Sequence, residues 1–149
     1  MRSRQPDFQA LAEFRYRIRR FLRFSDEAAE RAGIEPQQHQ LLLALKGLPP
    51  GVRPTISALA ERLQLRHHST VELVDRLVER GFLIRLRATD DRRRVLIRLT
   101  REGEQCLSGL ASHHLQELRS AGPEFVAALQ SLAQNSAAPQ SAPVLKNGK

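Results

Sequence analysis

Residues 55–103 read TISALAERLQLRHHSTVELVDRLVERGFLIRLRATDDRRRVLIRLTREG, and the change of hydrophobic period within them decides the fold. Thr55 suits the N-cap of a short helix over 56–63, with Ile56, Leu59, Ala60 and Leu63 facing inward. Gln64-Leu65-Arg66 makes a tight turn. A second helix over 67–80 sends Thr70, Leu73, Val74 and Leu77 inward, and Gly81 supplies a left-handed stop. Two helices joined across so short a turn have the shape of a helix-turn-helix. The period then becomes two. Ile84, Leu86 and Ala88 alternate with Arg85 and Arg87, while Val95, Ile97 and Leu99 alternate with Leu96 and Arg98. The polar run Thr89-Asp90-Asp91-Arg92-Arg93-Arg94 joins the two halves. This predicts a β-hairpin with one apolar and one largely basic face, in the position of a wing.

Outward from this stretch the pattern is helical. Leu11, Phe14, Ile18, Phe21 and Leu22 predict a long helix over 8–31, stopped by Gly33. Glu35-Pro36 opens another helix, with proline at its tolerated first position, and Gly47 closes it around Leu41, Leu42 and Leu45. Pro49, Pro50, Gly51 and Pro54 mark a loop with room for a short strand near Val52–Arg53. Thr100 can cap a helix carrying Leu107, Leu110, Ala111, Leu115 and Leu118, with Glu102 and Glu104 at its positive end. Gly122-Pro123 predicts a break before a last short helix bearing Phe125, Val126, Leu129 and Leu132. The fold class is mainly α with a small β-hairpin wing: a winged helix-turn-helix with long N- and C-terminal dimerisation helices. The expected organisation is an N-terminal dimerisation helix over 1–35, a DNA-binding unit over 36–100, C-terminal dimerisation helices over 101–134 and a disordered tail over 135–149.

Charge points to a polyanionic partner. Twenty-four Lys and Arg stand against sixteen Asp and Glu in 149 residues, a net charge of +8. All the basic residues except Lys46, Lys146 and Lys149 are arginines, whose planar fork suits phosphates and guanine edges. No apolar run approaches the roughly 18 residues of a membrane span, and no secretory signal opens the chain. The single cysteine, Cys106, forms no internal disulfide, which fits a reducing cytoplasm. A helix of groove-compatible diameter beside an arginine-tipped hairpin is a coherent device for duplex DNA.

The runs Ile56–Leu63 and Val74–Leu83, followed by Asp91-Arg92-Arg93 and Leu99-Thr100-Arg101-Glu102-Gly103, resemble the MarR family of regulators. The likeness extends over about residues 8–134. It implies a homodimer with intertwined terminal helices on a pseudo-palindromic operator, most often a repressor released by a small aromatic or anionic effector. The chain departs from the family where bases are read. Arg66 holds the usual cap position, and Val71-Glu72 replaces the family's Ser/Thr-Arg pair. From helix geometry the outward candidates are His67, His68, Val71, Glu72 and Arg76, with Arg66 and Ser69 as phosphate contacts. Glu72 either accepts from a cytosine or orients Arg76 through an i,i+4 pair. On the wing, Arg92, Arg93 and Arg94 lie at the tip, and Asp91 is expected to fix its shape by pairing with an arginine. Phe8, Leu11, Phe14, Phe125, Leu129 and Leu132 are the expected dimerisation residues. Their alternative is to fold back on their own subunit.

Other classes have thinner support. His67-His68 and His113-His114 are adjacent pairs whose side chains diverge by about 100° on a helix, so neither chelates a metal alone. No phosphate loop or nucleophile elbow occurs, and the expectation is no enzyme, no catalytic residue, no metal and no cofactor. Cys106 reads as a buried structural thiol. The best reading of another class is a membrane-surface protein, because Arg15–Phe24 is basic, aromatic and amphipathic.

Overall fold

The computed structural model describes residues 6–137. In chain order it contains α1 (Phe8–Arg31), α2 (Pro36–Lys46), α3 (Ile56–Leu63), α4 (His67–Glu79), β1 (Leu83–Arg87), β2 (Val95–Leu99) and α5 (Arg101–Ala137). The chain divides into two compact units. One is Leu22–Gln116, and the other combines the described residues up to Phe21 with those from Glu117 onward.

Helix ends fall where the punctuating residues place them. Gly33 (φ 76°) and Gly81 (φ 76°) take the left-handed conformation that a Cβ disfavours. The Thr55 hydroxyl accepts the Ala58 N–H at 3.2 Å and caps α3. Gln64 adopts φ 54° without being glycine, and its side-chain amide donates to the Glu61 carbonyl at 2.7 Å. Along α4 the buried positions are Thr70, Leu73, Val74 and Leu77, the stripe read from the sequence. These pack with Leu41, Leu42, Leu59, Leu83 and Ile97 in the core of the larger unit. A fully buried leucine contributes about 1.5–3 kcal/mol, so this stripe fixes how α4 sits and which face it leaves to solvent.

Three features differ from expectation. The hairpin pairs Leu83 with Leu99, Arg85 with Ile97 and Arg87 with Val95. Leu83, Ile97 and Leu99 therefore share the core-facing side with two arginines, while Ile84 and Leu86 lie opposite with Leu96 and Arg98. No clean apolar face exists, and Leu86 is exposed. Both strands carry apolar residues at odd and even positions, and the junction at Phe82 chooses between them. Near Val52–Arg53 no strand forms. A single backbone bond there, Ile97 N–H to the Pro54 carbonyl at 2.8 Å, holds the loop to β2. Finally, α5 runs unbroken through Gly122-Pro123. A proline inside a helix removes one intrahelical bond, and the turns on both sides remain paired. Phe125 beyond it receives the ring edges of Phe14 and Phe21 at 6.2 and 6.4 Å. Arg17 adds bonds to Glu13 and Glu124 within the same unit. Of the expected tail, 135–137 extend α5, and 138–149 lie outside the described residues.

The end of α4, the base of the hairpin and the start of α5 meet at one junction. The Phe82 N–H bonds the Leu77 carbonyl at 2.9 Å, ending α4, and the Phe82 carbonyl accepts from Thr100 N–H at 3.0 Å. The Thr100 hydroxyl donates to the Gly81 carbonyl at 2.6 Å and accepts from Gly103 N–H at 3.1 Å. A Cβ at Gly103 would lie 2.3 Å from the Phe82 carbonyl oxygen, too close for any side chain. Gly103→Ala should therefore destabilise the protein by about 1–3 kcal/mol in urea unfolding. Gly109→Ala, two turns along α5 with open space at its Cβ, should instead stabilise by up to about 1 kcal/mol. Equal effects of the two substitutions would contradict the junction.

Candidate nucleic-acid interface

The outward face of α4 follows from its buried stripe. Arg66, His67, His68, Glu72 and Arg76 are exposed, while Ser69 and Val71 are half-buried. Arg66 occupies the N-cap without a side-chain cap bond, and the Thr70 hydroxyl turns back to the Arg66 carbonyl at 3.0 Å. The first N–H groups of α4 thus have no side-chain cap. Their partial positive charge faces outward, beside the Arg66 guanidinium. Glu72 and Arg76 form no ion pair among the described residues, so the i,i+4 arrangement is not adopted here.

Two ion pairs that sequence reading missed hold the wing. Asp75, on the flank of α4, binds Arg85 of β1 and ties the helix to the hairpin. Arg53, from the loop before α3, grips Asp90 with both guanidinium arms at 2.8 Å. The hydrogen bond from Arg53 leads the effects that push the Asp90 carboxyl down to about 2, from an ordinary 3.8. A carboxylate lowered in this way stabilises the fold above its unfolded value. That contribution fades only as pH falls from 3.8 toward 2, so the fork is intact throughout the neutral range. Neither pair leaves a local signature. Each joins residues distant in sequence, and Asp90-Asp91 gave no sign of which acid takes the fork.

Asp91 shapes the tip from within. Its carboxylate accepts the Arg93 N–H at 3.0 Å and lies 3.8 Å from Arg94 Nε. Arg92, Arg93 and Arg94 are exposed at the turn, and Arg87 reaches the Arg92 carbonyl at 3.4 Å. Like charges on adjacent residues repel, and these bonds hold them together at the tip.

The other predicted residues fall in two groups. Phe14 and Phe125 pack edge-to-face on one another within the chain. Leu132 is half-buried, whereas Phe8, Leu11 and Leu129 are exposed. Within Arg15–Phe24, Phe21 packs on Phe125 and Phe24 on His114, so these rings are not free for a lipid surface. Among the described residues no helix is long and apolar enough to cross a membrane. Burial pushes the Cys106 thiol up, with Arg80 acting in the opposite direction, which leaves it a poor nucleophile near neutrality.

A helix-turn-helix followed by a two-stranded hairpin braced against its second helix defines a winged helix protein. Residues 32–94 match the sequence model of the MarR family. The fold is similar to MepR, a transcription regulator of the Staphylococcus aureus multidrug efflux pump MepA, at 18% identity and TM-score 0.71, over 87% of this chain and 98% of that one. It is also similar to a mutant MarR from E. coli complexed with operator DNA, at 22% identity and TM-score 0.63, over 83% and 90% of the two chains. A third similar structure is CouR from Rhodococcus jostii bound to p-coumaroyl-CoA, at 24% identity and TM-score 0.60, over 83% and 87%. No curated protein matches the sequence. Residues 32–94 thus carry the MarR family's sequence pattern, and the chain as a whole is similar in fold to solved MarR-family regulators.

Asp90→Asn should release the Arg53 fork and loosen the tip without unfolding the core. Amide exchange at Ala88 and Arg94, whose N–H groups close the turn, should accelerate several-fold while the melting temperature hardly moves. Unchanged exchange at both amides would show that the tip holds itself.

Proposed function

We propose that this protein binds double-stranded DNA as a transcription regulator, acting as a homodimer on a pseudo-palindromic operator. One observation carries the reading. A helix exposing Arg66, His67, His68, Glu72 and Arg76 is pinned through Asp75–Arg85 to a hairpin whose tip presents Arg92, Arg93 and Arg94. The helix enters the major groove, and the wing grips phosphates or the minor groove beside it. Val71 and Glu72 read base edges, while Arg66, Ser69 and the wing arginines position the protein on the backbone. The operator complex of the E. coli MarR mutant, on the same fold, supports this assignment.

Dimerisation uses the apolar residues the chain leaves uncovered. Phe8 is 67% exposed, and Val126 and Leu129 each 53%, on helices whose other side is packed. A two-fold partner is the commonest cover for such surface. The regulator is a repressor released by a small aromatic or anionic effector, as the acyl-CoA complex of CouR suggests by analogy. A cleft of about 460 Å³ bordered by Ala28, Arg31, Phe82, Leu110 and His113 offers apolar walls and one cationic rim for it.

Replacing Arg92 and Arg93 with alanine should weaken binding to every duplex and flatten the salt dependence by about 1 in log–log slope per lost phosphate contact. Substituting Val71 or Glu72 should instead change the preferred sequence, with about 1–3 kcal/mol at stake per base contact. A selection from random duplexes, followed by filter binding at several salt concentrations, measures both. An unaltered salt slope in the double arginine variant would falsify the wing assignment. The paired change Phe8→Glu with Leu129→Glu should yield a monomer by sedimentation, and a dimer that survives it places the interface elsewhere.

A further inference from the structure

Polar groups are sparse in the core of the Leu22–Gln116 unit, and one of them, a histidine, touches a second, half-buried histidine. His39 of α2 is 2% exposed and stacks on His114 of α5, with ring centroids 4.9 Å apart and planes at 29°. Its Nδ1 is buried with no hydrogen-bond partner. His114 is held from both ends: Nδ1 lies 2.6 Å from the Leu110 carbonyl, and Nε2 lies 2.8 Å from the Ser25 hydroxyl of α1. A carbonyl only accepts, so Nδ1 carries the proton, and in the neutral ring Nε2 accepts from Ser25. Phe24 closes this group with a ring contact to His114 at 5.7 Å. The stack turns ring faces rather than lone pairs toward each other, a geometry unsuited to sharing a metal ion.

This arrangement suits uncharged rings. A second proton on either ring places a cation in apolar surroundings against its neighbour's face, and two such cations repel at short range. The titratable groups that act on His39 are His114 from α5 and Asp26 from α1. Burial, then the His114 field, push His39 below its ordinary 6.5, while Asp26 pulls the other way. Arg80, at the end of α4, engages the residue next to His39 and is not among the groups that shift it. Its guanidinium donates to the side chain of the adjacent Gln38 at 2.7 Å and to the Gly33 carbonyl, and lies over the Phe82 ring. The turn of α2 that carries His39 is thereby bonded to the C-terminal end of the recognition helix.

We propose that the His39–His114 stack is a proton-sensitive latch: uncharged, it closes α1 and α5 onto α2, and on taking up a proton it opens, loosens the footing of α4 and weakens DNA binding. The last step rests on the DNA-binding reading above; the latch itself does not. Because folding lowers the proton affinity of His39, its contribution to stability is complete above the unfolded value of 6.5. It is lost as pH falls from there through the folded value.

The test uses the full-length protein. Ring-carbon NMR titration should show His39 taking up its proton below the ordinary 6.5. The melting temperature should fall as pH drops from about 6.5, and His39→Phe should remove most of that fall. Affinity for a duplex recovered from a random pool should drop on the order of tenfold over the same range, and much less in the variant. Titration of His39 at or above 6.5 overturns the latch, as does a His39→Phe protein with wild-type pH dependence. Should that variant fail to fold, the wild-type ring titration decides. A protein that binds no duplex at any pH sinks the DNA-binding reading instead, and ring titration with melting still judges the latch.

Discussion

The close approach of Gly103 to the Phe82 carbonyl is the constraint on which the rest depends. It lets α5 begin directly against the end of α4, with Thr100 bonding backbone on both sides. Any side chain at Gly103 would push α5 away. The hairpin rises from the same junction, so the direction of β1 and β2 is set by the turn that terminates α4. Register follows from this. Leu83 and Leu99, the first pair above the junction, must face the core, and every residue beyond them alternates accordingly.

Around that fixed point the interface is stiffened by charge rather than by burial. A two-stranded hairpin is marginal by itself, and little of this one beyond Leu83, Ile97 and Ala88 is buried. Asp75–Arg85 and Arg53–Asp90 act at its flank and its tip, where packing gives no purchase. Exposed pairs of this sort add little to global stability, typically less than about 1 kcal/mol. What they do restrict is where the arginines at the tip point, which for the proposed DNA contact counts for more than a small gain in folding energy.

What could be read from the sequence was what is local. Gly33, Pro36, Gly47, Thr55 and Gly81 act within a turn of themselves, so the limits of α1 to α4 are legible nearly to the residue. The buried stripe of α4 is also local, and with it the set of outward side chains. The hairpin faces were misassigned because Leu83, Ile84, Leu86 and Val95, Leu96, Ile97 satisfy either parity. Only a contact with another element breaks the tie. Pro123 was overvalued as a breaker, since one missing bond is a small perturbation in a helix of 37 residues. The Arg53–Asp90 fork, the Asp75–Arg85 pair and the histidine stack join residues far apart in sequence. No spacing rule reports such pairs.

The chemical nature of the basic surface has a corollary for control. Lys46 is the only lysine among the described residues, and it is paired with Glu104 away from the wing. The cations at the tip are guanidinium groups, which stay charged at any pH a cell reaches and offer no amine to acylating enzymes. The charge at the tip is therefore constant: neither acidification nor acetyl transfer removes it, and what can change is the position in which the rest of the fold holds it.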